Sequence, residues 1–131
     1  MAELQCVVVT PEETAIEQVA SFVVVPLFDG ELGIGIGHSP MIGRLGYGEM
    51  RVTGSDGSKA RYYVDGGFVQ VADNVVTVLT GKTVSAEELD VAAAEQQVAD
   101  ALKRPVNTDE LLELRDRAVE QGRAQIRIAQ R

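Results

Sequence analysis

Hydrophobic and polar residues alternate along the first part of the chain, in short runs that are rich in valine. Alternation with a period of two is the pattern of a β-strand that buries one face. Turn signals such as Ser55-Asp56-Gly57 and Asp73-Asn74 separate the runs. Many short strands at this spacing predict a β-sandwich or barrel of about ten strands. The main runs cover residues 4–9, 15–19, 22–27, 32–36, 41–45, 49–53, 60–64, 68–71 and 75–79.

The composition changes at Ser85, after which the chain becomes rich in alanine, leucine and charged residues. Ser85 and Glu88 form a capping-box pattern, which predicts a first helix over residues 86–103. The single proline of this region ends that helix. Asn107 is placed to cap a second helix that begins near residue 108 and runs towards Arg131. Because the connection between them is short, we predict an antiparallel helical hairpin.

The sequence thus predicts an α+β protein with a β-sandwich domain over residues 1–84 and a helical hairpin domain over residues 85–131. The apolar stripes that would join the two helices are narrow and contain many alanines. Small side chains let helices approach closely but bury little apolar area. We therefore predict a hairpin that is weakly held and can open. The predicted stripe residues are Leu89, Ala92, Ala93 and Ala99 on the first helix, and Leu111, Leu112, Leu114, Ala118, Val119 and Ile126 on the second.

Residues 29–40 read DGELGIGIGHSP and differ from the other strand patterns. Leucine and isoleucine alternate here with glycine, so the second face of this strand carries no bulky side chain. Glycine weakens a strand unless another backbone must come close or the chain must bend. Pro40 lacks the N–H group that continued pairing would need. We predict a turn, a glycine-lined strand and a sharp exit loop.

The chain has 20 acidic and 12 basic residues and a formal net charge of −8. This balance argues against a nucleic-acid partner, which requires a basic surface, and against direct attraction to anionic lipids. No apolar run approaches the roughly 18 residues of a membrane span, and the first residues lack a signal-peptide pattern. We therefore expect any membrane location to arise through partner proteins. The single cysteine, Cys6, excludes an internal disulfide framework and is predicted to be buried.

Few residues in the sequence could carry catalysis. One histidine and one cysteine cannot form a metal cluster of the usual spacing, so we predict no metal and no cofactor. His38 and Ser39 could be considered a base and a nucleophile. Adjacent residues rarely face each other productively, however, and no orienting carboxylate is apparent. The glycine run at residues 33–37 is not followed by the helix and GK[ST] sequence of a phosphate-binding loop.

Two motifs resemble a known family. GELGI at residues 30–34 followed by GHSPM at 37–41 is similar to the first signature of the epsilon subunit of bacterial and chloroplast F-type ATP synthases. GGFVQV at 66–71 followed by NVVTVL at 74–79 resembles the second signature of that family. The resemblance covers nearly the whole chain. It implies a β-sandwich with a C-terminal helical hairpin and no catalytic centre.

The resemblance also implies a role and partners. The protein would be a non-catalytic rotor subunit of the central stalk, linking the gamma subunit to the c-ring of a proton-translocating ATP synthase. The C-terminal helices would contact the alpha and beta subunits and inhibit ATP hydrolysis. The expected location is peripheral, on the cytoplasmic face of the bacterial plasma membrane, or alternatively on the plastid thylakoid membrane.

Three groups of contact residues follow from the resemblance. The c-ring contact would be made by Asp29, Gly30 and Glu31, and the gamma contact by His38, Ser39 and Met41. The inhibitory contact of the tail would be made by Arg115, Arg123 and Arg127. A solvated charged face is the alternative interpretation of these arginines, because helix ends often carry such residues.

A second functional hypothesis is a small nucleotide-sensing module. The family places a nucleotide motif, [IL]-D-x-x-R-A, at the start of the first helix. The matching residues here are Leu89, Asp90, Ala93 and Ala94, so alanine replaces the arginine. Because a guanidinium group is the natural partner of a phosphate, the sequence predicts that nucleotide binding is weak or lost. A hydrolase that uses His38 and Ser39 is the least favoured alternative.

Overall fold

The structure is a computed structural model that describes residues 3–131. The chain forms two compact units, of which the first ends at Ser85 and the second comprises Ala86–Arg131. The first unit consists of β-strands, and the second consists of helices. The predicted α+β class, with a β-sandwich followed by a helical hairpin, is therefore confirmed.

The first unit contains seven β-strands within the described residues, fewer than the predicted ten or so. The higher number was wrong because several predicted breaks lie inside long strands. Two separate predicted strands merge in each of β2, β4 and β5, while the short β7 was not predicted. The bounds are β1 Leu4–Val9, β2 Thr14–Leu27, β3 Gly30–Gly35, β4 Met41–Gly54, β5 Lys59–Ala72, β6 Val75–Leu79 and β7 Thr83–Ser85.

The strands form a closed ring of hydrogen-bonded neighbours. β1 pairs in parallel with β6 and antiparallel with β2, so the order β1-β6-β5-β4-β2 returns to β1. β3 is added to β2, and β7 is added to β5. A long strand can pair with different strands along its length. The first half of β2 pairs with β1, and its second half pairs with β3 and β4. β2 therefore changes partners without leaving the β conformation, and β5 does the same by pairing first with β7 and then with β6.

The longest pairing joins β4 to β5. It keeps one register from Met41 opposite Val71 to Thr53 opposite Lys59. The glycines in the middle of both strands were read as breaks from the sequence, but the pairing continues through them. Glycine inside a strand often marks a bend or a close backbone approach instead of an end.

Gly67, within β5, shows such a close approach. Its φ angle is +103°, and a Cβ atom there would lie 1.8 Å from the carbonyl oxygen of Leu79. No side chain fits in that space, and the left-handed φ also favours glycine. The paired glycines of the second signature are therefore required by backbone geometry.

The core of the first unit is built mainly from valine. Fully buried residues of β1 and β6 alternate with more exposed ones, as a period of two requires, and residues 68–72 of β5 do the same. Cys6 belongs to this core, and burial raises the pKa of its thiol to about 11. The thiol is therefore protonated at neutral pH, which agrees with the predicted structural role.

The second unit begins with a 3-10 helix at Ala86–Glu88, followed by α1 Val91–Leu102 and α2 Asp109–Ala129. The predicted helix caps were wrong. Asp90, not Ser85, caps α1 by accepting a hydrogen bond from the Ala93 N–H, and Thr108, not Asn107, caps α2. Aspartate and threonine are both good N-caps, so several adjacent residues competed for each position.

The packing face of α1 also differs from the predicted stripe. Ala94 and Ala101 are buried and Val98 is half-buried, whereas the predicted Ala92, Ala93 and Ala99 are exposed. Because alanines occupy three consecutive positions, composition does not identify which face of the helix packs. On α2, Ala118 and Val119 are buried as predicted, but Leu112 and Leu114 are exposed.

Candidate functional site

The turn between β2 and β3 carries the residues that were predicted to contact the c-ring. Asp29, Gly30 and Glu31 are all exposed, and Gly30 has a φ angle of +148°. We call these three residues the foot turn. Within the part of the chain that the structure describes, Asp29 forms no ion pair, whereas Glu31 is paired with an arginine.

That arginine, Arg51, lies on β4. Its Nη1 atom is 2.8 Å from Glu31 Oε2, and its Nη2 atom is 3.2 Å from Glu31 Oε1. Nη1 also donates to Glu49 Oε1 at 3.0 Å. The hydrogen bonds from Arg51 to Glu31 and then to Glu49 raise the pKa of the guanidinium above its ordinary value.

Glu49 is buried although it carries a charge, because both of its oxygens are paired. Oε1 accepts from Arg51, and Oε2 accepts from Arg61 Nε at 2.7 Å. This network of ion pairs was not predicted from the sequence. The spacing of Glu49 and Arg51 could have indicated it, because residues two apart in a strand lie on the same face.

The glycine-lined strand β3 has a physical explanation in Phe22 of β2. Phe22 lies opposite Gly35, and Val24 lies opposite Gly33. A Cβ atom added at Gly33 would lie 2.7 Å from the end of the Phe22 ring. The ring thus occupies the space that a side chain on β3 would need, so the close approach is made by a side chain and not by another backbone.

The loop after β3 holds the predicted gamma-contact residues. Ser39 is exposed, and His38 and Met41 are half-buried. The His38 Nδ1 atom lies 2.8 Å from the backbone oxygen of Ser39. The imidazole nitrogen that approaches Ser39 is thus engaged with the carbonyl group and not with the hydroxyl. This geometry gives no support to a nucleophile–base pair.

An exposed apolar surface begins next to this loop. Ile42 is 74% exposed, Phe68 is 55% exposed and Leu79 is 47% exposed. Phe68 pairs with Arg44 on one side and with Leu79 on the other, and Ile42 lies two residues from Arg44 on the same face. Phe28, 66% exposed, has the Arg44 guanidinium 5.8 Å from its ring centroid. We call Phe28, Ile42, Phe68 and Leu79 the apolar face.

The degenerate nucleotide motif lies at the start of α1. The Asp90 carboxylate accepts the Ala93 N–H at 3.0 Å, so it caps the helix. Leu89 is half-buried, Ala93 is exposed and Ala94 is buried. The exposed position 93 has room for a longer side chain, but alanine offers no charged group to a phosphate.

The arginines of the predicted tail contact lie along α2. Arg115 is paired with its neighbour Asp116 at 3.1 Å, while Arg123 and Arg127 are exposed. At about 100° per residue, the three arginines fall within roughly 120° of the helix circumference. They therefore share one side of α2.

The two helices meet most closely at Gly122. A Cβ atom there would lie 2.6 Å from Val98 Cγ2 and 3.0 Å from the backbone oxygen of Ala94. One turn away, Gln97 Nε2 donates to the backbone oxygen of Ala118 at 2.8 Å. The packing role of Gly122 was not predicted, because an isolated glycine in a helical sequence does not indicate which residues pack against it.

Residues 3–131 contain neither a group of side chains suited to a metal ion nor a helix suited to a membrane span. No three His, Cys, Asp or Glu side chains are grouped so that they could bind a metal ion. Neither helix of the described chain has both the length and the apolar composition that a membrane span needs.

Comparison with known proteins identifies the class of the first unit. Residues 3–86 match the family described as the β-sandwich domain of the ATP synthase delta/epsilon chain. A structure of the Euglena gracilis mitochondrial ATP synthase, which comprises OSCP, F1 and the c-ring, contains a chain with the same fold. That chain has a TM-score of 0.83 and 22% identity, and the match covers 95% of this chain and 79% of that one.

Two curated relatives of this chain are both ATP synthase epsilon chains. The ATP synthase epsilon chain of Rhodopirellula baltica is 49% identical, over 95% of this chain and 96% of the relative. The epsilon chain of Chromohalobacter salexigens is 39% identical, over 79% of this chain and 73% of that protein. The chain belongs to the ATP synthase epsilon chain family, as its two sequence motifs predicted.

The close helix contact leads to a prediction. We expect Gly122→Ala to weaken the hairpin by about 1–3 kcal/mol, because the new methyl group overlaps Val98. Helix content and amide hydrogen exchange of α1 and α2 should report the change. Combining it with Val98→Ala should restore much of the protection, since the overlapping methyl is then removed. Full protection in the single variant would contradict this account of the packing.

Proposed function

We propose that this chain joins the gamma subunit to the c-ring in the rotor of an F-type ATP synthase. The observation that carries the proposal is the nearly full-length relationship to an epsilon chain at 49% identity. As an epsilon chain it is a non-catalytic subunit of the ATP synthase complex. In this proposal, the apolar face contacts gamma and the foot turn contacts the c-ring.

The gamma contact is assigned to the apolar face together with His38, Ser39 and Met41. Monomeric proteins seldom expose several large apolar side chains side by side, and such patches often mark protein interfaces. Ile42, Phe68 and their neighbours form such a group, with Arg44 beside them. Aromatic and arginine side chains are also enriched among residues that dominate binding energy.

The c-ring contact is assigned to the foot turn. Asp29 and Glu31 expose carboxylates at the tip of a hairpin that can reach a neighbouring surface. Carboxylates at the rim of an interface fix orientation and specificity more than affinity. Contact with the ring gives the chain its peripheral location, for which we propose the cytoplasmic face of a bacterial plasma membrane. The plastid thylakoid membrane remains the alternative.

The helical hairpin is assigned an inhibitory role. Its apolar cluster is small, with Ala101, Ala118 and Val119 buried and Val98 half-buried, so opening it exposes little apolar area. α2 has 21 residues and is about 32 Å long, enough to reach a neighbouring subunit. Its arginines would meet an acidic segment of the beta subunit and restrain rotation during ATP hydrolysis.

The gamma contact is tested by adding charge to the apolar face. We expect Ile42→Asp or Phe68→Asp to lower the affinity for gamma about tenfold or more, because a carboxylate would be buried without a partner. Binding of the full-length chain to purified gamma measures this. Leu114→Asp is the control, since Leu114 is 51% exposed but lies on α2. An unchanged affinity in both face variants would exclude this surface.

The inhibitory role is tested by ATP hydrolysis in the reconstituted complex. Deleting residues 105–131 should raise the rate about threefold or more, and replacing Arg115, Arg123 and Arg127 with alanine should have a similar effect. Exposed ion pairs contribute up to about 1 kcal/mol each, so three contacts suffice. Arg117→Ala is the control, because Arg117 lies outside the side that the three arginines share, about 160° around α2 from Arg115 and about 80° from Arg127. Equal rates for all variants would show that the tail is passive.

The nucleotide-sensing alternative is tested by titration calorimetry with ATP. We expect no measurable binding by the unmodified chain, because Ala93 provides no phosphate partner and Asp90 is engaged as a helix cap. Ala93→Arg should strengthen binding by about 1.5–3 kcal/mol if the other pocket residues are competent. Tight binding by the unmodified chain would favour a nucleotide-sensing role.

A further inference from the structure

A row of four alternating charges connects the foot turn to β5. Its members are Glu31, Arg51, Glu49 and Arg61, and we call it the charge ladder. The contact distances along it are 2.8 Å for Arg51–Glu31, 3.0 Å for Arg51–Glu49 and 2.7 Å for Arg61–Glu49. The charge ladder thereby links β3 to β4, which are separated by β2 in the sheet, and β4 to β5, which also pair through the backbone.

The centre of the charge ladder is fixed by burial. The side chain of Glu49 is only 4% exposed, and each of its oxygens accepts from a different arginine. A buried carboxylate that loses a partner is strongly destabilised, so Arg51 is held in place from beneath. Its Nη1 atom donates to both Glu49 and Glu31, and its Nη2 atom donates to Glu31.

Glu31 is therefore unlike an ordinary surface glutamate. Both of its oxygens are bound by the planar fork of Arg51, although its side chain is 53% exposed. A bidentate arginine–carboxylate pair fixes direction as well as distance. Glutamate loses considerable rotamer freedom when it is ordered, and here that loss has occurred before any partner binds.

We infer that Arg51 is a positioning residue for c-ring binding, because it holds Glu31 and the start of β3 in a preorganised geometry. The inference rests on the proposed assignment of the foot turn to the ring. Preorganisation increases affinity by reducing what must be ordered on binding. Arg51 acts in this way through Glu31, and Glu49 and Arg61 hold Arg51.

The experiment measures binding of the full-length chain, in complex with gamma, to purified c-ring in detergent. We expect Arg51→Met to lower ring affinity about tenfold and Arg51→Lys to lower it about threefold. Lysine keeps the charge but cannot provide the two-nitrogen fork. Lys59→Met is the control, since this exposed lysine lies on the same β4–β5 ribbon without contacting Glu31.

A double-variant cycle separates positioning from direct contact. If Arg51 acts through Glu31, Arg51→Met should add no further loss in a Glu31→Gln background. Independent, multiplying losses would overturn the inference in favour of a direct contact between Arg51 and the ring. Gamma binding is measured on the same variants and should stay unchanged, because a general loss of structure would lower both affinities.

Three other outcomes would overturn the positioning role of Arg51, each for a different reason. A parallel loss of gamma binding in both Arg51 variants would reduce Arg51 to a structural residue and overturn the inference. Normal ring binding by Arg51→Met would overturn it while leaving the proposed function intact. If the unmodified chain in complex with gamma fails to bind the ring, the assignment of the foot turn fails, and the inference fails with it.

Discussion

The β-sandwich depends on the double pairing of β1, which hydrogen-bonds to β2 along one edge and to β6 along the other. An unpaired strand edge exposes backbone donors and acceptors that invite aggregation. Closing the ring through β1 removes the edges of five strands at once. Only the added strands β3 and β7 have a single neighbour among the described residues. β3 begins in the foot turn, so the strand with the open edge is also the one proposed to reach the c-ring.

Closure explains which parts of the fold could be predicted. Alternating valines give strand positions and the buried face, because each strand is half-buried in the ring. They do not show that one strand pairs with different strands along its length, since that depends on contacts between residues far apart in sequence. Gly67 illustrates the limit: its identity is visible in the sequence, but its reason, the carbonyl of Leu79, is not. β4 and β5 were therefore divided at their glycines.

The candidate site was predictable to the extent that it is local. The foot turn was located from Asp29-Gly30, and the loop after β3 was located from Pro40. The partners of these residues come from distant positions, as Arg51 does for Glu31 and Phe22 does for Gly33. Helix caps failed for a different reason, because Ser85 and Asp90 are both chemically suited to the role. Tertiary packing selects between such candidates, and no local pattern reports it.

The two units solve opposite physical problems. In the charge ladder, a buried carboxylate binds two arginines, so movement of Arg51 would leave a charge without its full set of partners. In the hairpin, small residues let the backbones approach, and separation exposes little apolar area to water. The first arrangement favours a single geometry, which suits the proposed contact of the foot turn with the c-ring. The second requires little free energy to open, which suits the proposed change of conformation in the tail. A single Cβ atom at Gly122 or a single lost fork at Arg51 would therefore alter one property without affecting the other.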